Sequence, residues 1–286
     1  MKKILVPVDF SPNSKNALHV AAEIACKTGA SLELLHANVE AAFAVPLSEF
    51  VAASNYAEDQ DYDETAVRLL ELLKSELHEN PAFANLKVET RVEEGYLYSC
   101  VRNVAEEDKV DLVVMGTRGA SGVNEFLVGS NTEKVIRMAP CPVLAVPESV
   151  KSFNLKTVLF PSTLKDDQKG IFRLVAVWQK IFGFNAKVLY LNNPMSLPTD
   201  GSAEARKNRM AEAAGLTKTE VIMSMGSFFE DSTILSVADQ YDIDMIAMAT
   251  HQRHGLSHLM FGSITEDTVN HSNIPVLAVP TTWVEN

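Results

Sequence analysis

The stretch KKILVPVDFS, residues 2–11, begins the chain with a short apolar run that leads into proline, aspartate and serine. It recurs as KTVLFPSTLK at residues 156–165, an offset of 154 positions. A second pair of segments, CPVLAVP at 141–147 and IPVLAVP at 274–280, matches at an offset of 133. A chain that repeats its own pattern is built from copies of one structural unit. We therefore predict two related domains within the 286 residues.

The two domains are predicted at residues 1–149 and 150–286, with the boundary within Pro147–Asn154. Because the offset falls from 154 to 133, the first half carries about 21 additional residues, which lie between Asn38 and Lys87. Insertions are tolerated best at the surface, so we interpret this segment as a surface excursion. A lid over a binding site is the alternative.

Patterns typical of buried strands alternate with patterns typical of amphipathic helices in each half. Ile4–Val8 has the short apolar run of a strand covered on both faces. Ser11 then suits a helix N-cap, and Pro12 suits the first helical position. Further strands of the first half are predicted at 32–37, 86–92, 111–115 and 143–146. This alternation predicts an α/β fold with a doubly wound, Rossmann-like parallel sheet and ligands at the carboxyl ends of its strands.

The composition restricts the class of protein and its partners. Apolar residues make up 47% and charged residues 22%, as in soluble globular proteins. A net charge of −12 and a pI near 5.1 argue against a nucleic-acid partner. No apolar stretch approaches the roughly 18 residues of a membrane span, and the N-terminal apolar run is too short for a signal peptide. We expect a cytoplasmic protein without a membrane partner, in which Cys26, Cys100 and Cys141 are reduced and buried as small apolar residues.

Glycines are concentrated after the fourth predicted strand, in the spacing Gly116-x2-Gly119-x9-Gly129-Ser130. Glycine lets backbone N–H groups approach a ligand closely, and a helix N-terminus favours an anion. This pattern therefore suits a phosphate chain. Ser130 and Glu133 also fit a capping box, which needs no ligand.

The second half serves as an internal comparison for this loop. It keeps the part of the pattern that belongs to the helix start, namely Gly262, Ser263 and Glu266. In place of Gly116 and Gly119 it has Ala249 and Gln252. If the fold itself accepts side chains at these two positions, the glycines of the first half serve a ligand, and we interpret them so.

A second difference lies at the end of the first strand, where Asp9 of the first half corresponds to Thr163. A carboxylate at the crevice can accept hydrogen bonds from an adenine amino group or a ribose hydroxyl. The alternative is that Asp9 stabilises the turn into the following helix.

These features resemble the universal stress protein family in its tandem, two-domain arrangement. The glycine spacing, VPVDFS in the first strand and PVLAVP in the last carry the resemblance, which covers nearly the whole chain outside residues 38–87. It implies a five-stranded parallel sheet in each domain, of the adenine nucleotide alpha hydrolase type, with the two domains paired through their last strands. One chain would then mimic a dimer of single-domain relatives. Whether two chains form a homodimer is left open.

The resemblance also implies ATP as the ligand of the first domain, with or without Mg²⁺. By position, Pro7, Val8 and Ala37 would line the base, Asp9 would meet adenine or ribose, and Met115 would lie beside the sugar. The phosphates would be held by Gly116, Gly119, Gly129, Ser130 and Asn131. Arg118 either adds a charge near the γ-phosphate or is a solvated surface residue. The second domain, with its glycine motif broken, is expected to be mainly structural.

Three functions follow as hypotheses. The favoured one is an ATP-binding regulatory protein of the stress response that acts on protein partners. A slow Mg²⁺-dependent ATPase is less favoured, because no carboxylate of the glycine loop is placed to orient water. A nucleotide-free interaction scaffold is the third.

Four late histidines, His251, His254, His258 and His271, raise the question of a metal site. No cysteine and no convincing carboxylate partner accompanies them, so no metal is predicted.

Overall fold

A computed structural model describes residues 1–38, 52–117, 130–162, 164, 168–190, 203–223, 231–250 and 261–283. The elements of the first half are β1 (Lys3–Pro7), α1 (Pro12–Thr28), β2 (Ser31–Asn38), α2 (Ala52–Glu79), β3 (Val88–Glu94), α3 (Leu97–Glu107), β4 (Leu112–Gly116), α4 (Ser130–Met138) and β5 (Val143–Val146). Those of the second half are β6 (Thr157–Ser162), α5 (Lys169–Phe182), β7 (Asn185–Tyr190), α6 (Ala203–Ala214), β8 (Thr219–Met223), α7 (Asp231–Gln240), β9 (Met245–Thr250), α8 (Phe261–His271) and β10 (Val276–Pro280).

The strands form one continuous sheet in the order β3-β2-β1-β4-β5-β10-β9-β6-β7-β8. Within each half all neighbours are parallel. Two continuous apolar cores cover the faces: α1, α2, α5 and α6 pack on one side, and α3, α4, α7 and α8 on the other. The predicted fold, two doubly wound five-stranded parallel sheets, is confirmed.

The two halves meet through β5 and β10, which pair antiparallel, as predicted for the last strands. Leu277 pairs with Leu144 at the centre, and Ala278 pairs with Val143 beside it. Leu277 is the repeat equivalent of Leu144, so a local two-fold axis passes between them. Each half thereby covers the apolar edge strand that the other would otherwise expose.

Helices α4 and α8 strengthen this joint across the same axis. Nε and Nη2 of Arg137 donate to the two carboxylate oxygens of Glu266, and Asn270 donates to Glu133 at 3.4 Å. The hydrogen bond to Glu266 raises the pKa of Arg137. The proposed capping role of Glu266 is therefore wrong: α8 begins before Ser263, and the carboxylate binds the other half.

Helix α1 begins as predicted. The hydroxyl of Ser11 accepts a hydrogen bond from the backbone N–H of Ser14, and Pro12 occupies the first turn. Gly29 ends the helix with a φ of 73°, a left-handed conformation that glycine adopts without a steric penalty.

Part of the additional length of the first half lies in α2, which has 28 residues where its counterpart α6 has 12. Leu70, Leu73 and Leu77 of α2 are buried against the sheet. The predicted helix at 66–77 is thus the packed portion of a longer helix. Residues 39–51, on which the interpretation as a lid depends, lie outside the described residues.

The expectation of three buried cysteines is wrong for Cys26. Cys100 and Cys141 are buried, whereas Cys26 is exposed on α1. The residues before it, Ile24 and Ala25, occupy the buried stripe of the helix. Cys26 follows that stripe by one position, and a helix turns by about 100° per residue, so its side chain points outward.

We expect a thiol reagent at about pH 8, near the ordinary pKa of a free thiol, to label Cys26 alone in the native protein. Burial raises the pKa of Cys141 to about 12, and burial also raises the pKa of Cys100. Burial and Glu23 raise the pKa of Cys26 more modestly, so labelling should quicken as the pH rises. Counting labelled sites by mass spectrometry before and after denaturation tests this, with Cys26→Ser as the control. Native labelling of Cys141 would contradict it.

The Arg137→Ala variant should lower the free energy of unfolding by about 1–2 kcal/mol, because it leaves the nearly buried Glu266 without its partner. The expected loss is small because the Arg137 side chain is 41% exposed and water screens the ion pair. Urea denaturation measures it. Arg102→Ala on α3 is the matched control, since Arg102 donates only to its neighbour Asn103 among the described residues. Equal losses in the two variants would show that the joint is not stabilised by this pair.

Candidate functional site

The candidate site is the crevice at the carboxyl ends of β1 and β4. The chain continues from β1 to the neighbouring strands β2 and β3, and then crosses to β4 on the opposite side of β1. The strand order therefore reverses between β1 and β4, which makes this the topological switch point of the first half. The register pairs Ile4 with Leu112 and Leu5 with Val113. Continued to the strand ends, it sets Pro7 level with Met115. Val8 and Met115 are both buried.

The end of β1 is held against β2 by hydrogen bonds that the sequence analysis did not anticipate. The N–H of Val8 donates to the Leu35 carbonyl at 2.8 Å. The Val8 carbonyl accepts a hydrogen bond from Nδ1 of His36 at 2.8 Å. The ring of Phe10, a residue with a φ of 61°, packs on His36 with centroids 4.8 Å apart. Ala37, predicted to line the base, is half-buried on β2 beyond this contact. These contacts fix the direction in which the chain leaves the strand.

Asp9 lies exposed at the mouth of the crevice. Its Oδ1 accepts hydrogen bonds from the N–H of Ser11 at 3.1 Å and from the Ser11 hydroxyl at 2.6 Å. The turn-forming role offered as the alternative for Asp9 is therefore present. It does not exclude a ligand role, since a carboxylate can accept several hydrogen bonds.

Gly116 has a packing requirement of its own. A Cβ at this position would lie 3.0 Å from the carbonyl oxygen of Asn13 and 3.1 Å from its carbonyl carbon. In the second half Ala249 takes this place, but the helix there begins at Lys169, the equivalent of Lys15. In equivalent positions of the two halves, α1 thus begins three residues earlier than α5. Gly116 packs against this additional first turn of α1. Gly116 therefore has a packing reason of its own, so the comparison with Ala249 does not single out a ligand, and a ligand role for Gly116 stays a prediction.

Thr132 ties the start of α4 to the end of β4. It is buried, and its hydroxyl donates to the Gly116 carbonyl at 3.1 Å. The equivalent residue, Thr265, makes the same bond to the Ala249 carbonyl at 3.4 Å. The sequence analysis missed this residue, although its recurrence at the offset of 133 was visible in the repeat.

The remaining predicted phosphate residues are only partly described. Ser130 is the first residue of α4, and Asn131 follows it with an exposed side chain. Arg118, Gly119 and Gly129 lie outside the described residues. The described residues thus bring together the ends of β1, β2 and β4 with the first turn of α4. An apolar wall, a carboxylate and a helix N-terminus together suit the base, the sugar and the phosphates of a nucleoside phosphate.

The late histidines are not brought together within the described residues. His271 bonds to Asp231 through Nδ1 at 2.7 Å, while His251, His254 and His258 lie outside them. A search of the described residues finds no group of three or more histidine, cysteine and carboxylate side chains suited to a metal ion. Within the same ranges, the helices are all too short or too polar to cross a bilayer.

Comparison with known proteins finds universal stress proteins among the relatives of this chain. The sequence pattern of the universal stress protein family matches residues 1–147 and 167–280. A universal stress protein of Synechocystis sp. is 24% identical over 97% of this chain and 99% of its own length. One of Bacillus subtilis is 33% identical over 50% of this chain and 97% of its own length. The crystal structure of a universal stress protein from Archaeoglobus fulgidus shares the fold, with a TM-score of 0.67, 18% identity and coverage of 97% of this chain and 96% of that one.

We expect Gly116→Ala to lower the free energy of unfolding by about 1–3 kcal/mol, because the added methyl group meets backbone atoms of Asn13 that cannot turn away. Gly170→Ala makes the same chemical change in α5, where the nearest contact is the Trp283 carbonyl at 3.4 Å. It should be neutral or slightly stabilising, since alanine favours helix over glycine. Thermal or urea unfolding of both variants decides the matter. An unchanged free energy of unfolding in Gly116→Ala would show that the glycine is present for another reason.

Proposed function

The chain belongs to the universal stress protein family, and on that premise we propose that its first half binds ATP in the crevice between β1 and β4. The second half is proposed as mainly structural, with the bound nucleotide regulating what the protein pairs with. We place this function in the cytoplasm.

The contrast between the ends of β1 and β6 carries the proposal. At β1 the chain presents a buried Val8 and an exposed Asp9. At the equivalent of Val8 the second half has Ser162, whose hydroxyl donates to Gln168 at 2.6 Å and accepts from the N–H of Leu164 at 2.9 Å. The Ser162 hydroxyl is thus satisfied within the protein. The first crevice keeps an apolar surface beside a carboxylate, the combination that suits a purine nucleoside.

The individual roles are proposed as follows. Pro7, Val8 and Ala37 contact the adenine ring, Met115 contacts the ribose, and Asp9 accepts hydrogen bonds from the amino group or a ribose hydroxyl. Gly116, Gly119, Gly129, Ser130 and Asn131 hold the phosphates, assisted by Arg118. The N-terminus of α4 favours their negative charge through its unpaired N–H groups and its dipole.

Helix α4 links the proposed phosphate site to the joint between the halves. Its first turn is tied to β4 through Thr132. Glu133 of the same first turn contacts Asn270 of α8, and Arg137 of the last turn contacts Glu266. A phosphate chain bound at the start of α4 would therefore act on the same helix that joins the halves. This gives the nucleotide a physical route to the joint between the halves.

Titration calorimetry with ATP should give one site per chain, and Gly119→Gln should weaken binding by about ten-fold or more by filling the phosphate loop. Glutamine is the residue that the second half carries at this position, Gln252. The reciprocal variant Gln252→Gly is the control and should leave the affinity unchanged. Two sites per chain, or an unchanged affinity in Gly119→Gln, would contradict the proposal.

Phosphate release in the same samples separates binding from slow Mg²⁺-dependent hydrolysis. Binding without release supports the regulatory function. Nucleotide in an acid extract of the purified protein would argue against the nucleotide-free scaffold.

A further inference from the structure

A second concave site lies in the other half of the molecule, between α5 and α6. It is a pocket of about 520 Å³, within the size range of small-molecule sites. Its apolar lining comprises Leu164, Phe172, Met210, Ala213 and Ala214. Its charged lining comprises Lys169, Arg173, Arg206 and Arg209. Among the described lining residues, every charged one is a cation, in a protein whose net charge is −12.

The three arginines have no carboxylate partner among the described residues. Lys207, on the same helix as two of them, shows the contrast: it is buried and pairs with Glu204 at 2.7 Å. Arg206 and Arg209 stand three positions apart on α6, and Lys169 and Arg173 stand four apart on α5. The like charges of Arg206 and Arg209 repel each other at this helical spacing. An anion between the two helices would remove that repulsion.

The same helix pair of the first half carries a different set of charged side chains. Lys15, the equivalent of Lys169, lies 3.5 Å from Glu76 of the facing helix α2. His19, the equivalent of Arg173, lies 3.8 Å from Glu23 and packs edge-on against Phe83. In the second half an arginine has replaced the histidine, and the facing helix offers Arg206 and Arg209 to the pocket. The two halves have therefore diverged here in charge while keeping the fold.

We propose that this pocket binds a small molecule that carries a phosphate group on an apolar or aromatic body. Guanidinium groups bind phosphate oxygens in pairs, which gives strong and directional hydrogen bonds. The buried Phe172 and Leu164 form the apolar floor on which the body of the ligand rests. The described lining residues lie on α5 and α6, apart from Leu164, which lies two positions beyond the end of β6. The pocket is independent of the ATP site proposed for the first half.

Naphthyl phosphate is the probe for this site, with inorganic phosphate and naphthol as its two separated parts. Naphthyl phosphate should bind more tightly than either part, by a factor of about ten or greater, because it engages the arginines and the apolar floor together. Arg206→Glu/Arg209→Glu should weaken it by about ten-fold or more. Arg68→Glu/Arg102→Glu changes the net charge equally at positions of the first half outside the pocket, one exposed and one half-buried, and should leave the affinity unchanged. Titration calorimetry measures the affinity for the probe in the unmodified protein and in both double variants.

Two further measurements keep the outcome decisive. In the unmodified protein the probe should shift the methyl resonances of Ala213 and Ala214, which requires no variant to fold. The Gly119→Gln variant should bind the probe as the unmodified protein does, so that failure of the ATP site and failure of this pocket are told apart. Equal weakening by the two double variants, unshifted alanine methyls or loss of binding in Gly119→Gln would each overturn the proposal.

Discussion

The antiparallel pairing of β5 with β10 is the constraint on which the rest of the structure depends. Each doubly wound sheet ends in a short apolar strand, and an unpaired apolar edge invites association with another chain. Here the two edges belong to one chain and cover each other, with Leu144 and Leu277 at the centre. The result is a single ten-stranded sheet with one apolar core on each face. The chain thus achieves internally what two single-domain copies would achieve by forming a dimer.

Because both halves belong to one chain, their amino-acid sequences can differ from each other. In a true homodimer each substitution appears at both sites, whereas a tandem chain changes one half at a time. The polar joint already shows this: Glu266 binds Arg137, while the equivalent carboxylate, Glu133, meets Asn270 instead. The same divergence separates the apolar mouth beside Asp9 from the closed Ser162–Gln168 pair. It also separates the Lys15–Glu76 ion pair of the first half from the pocket lined by arginines in the second half. This divergence is the reason for proposing a different anion site in each half.

Several features of the site came from contacts between distant segments, and the sequence analysis could not foresee them. The repeat comparison treated Gly116 and Ala249 as the same environment, but only Gly116 lies against the first turn of a helix that begins at Pro12. His36 was passed over because nothing in its local pattern indicates that it binds the Val8 carbonyl. Thr132, by contrast, recurs in both halves and could have been identified as an anchor from the repeat alone.

The amino-acid sequence was sufficient to predict the alternation of strands and helices and the start of α1 at Ser11 and Pro12. These follow from periodicity and capping, which are properties of neighbouring residues. The pairing of the halves through their last strands was implied by the resemblance to the family. The packed structure was needed to show that Glu266 binds Arg137 and that three arginines line one pocket. The reason is physical: a side chain's partners depend on which helices the sheet brings within a few ångströms of each other, and residues 129 positions apart in sequence, like Arg137 and Glu266, carry no local record of that meeting.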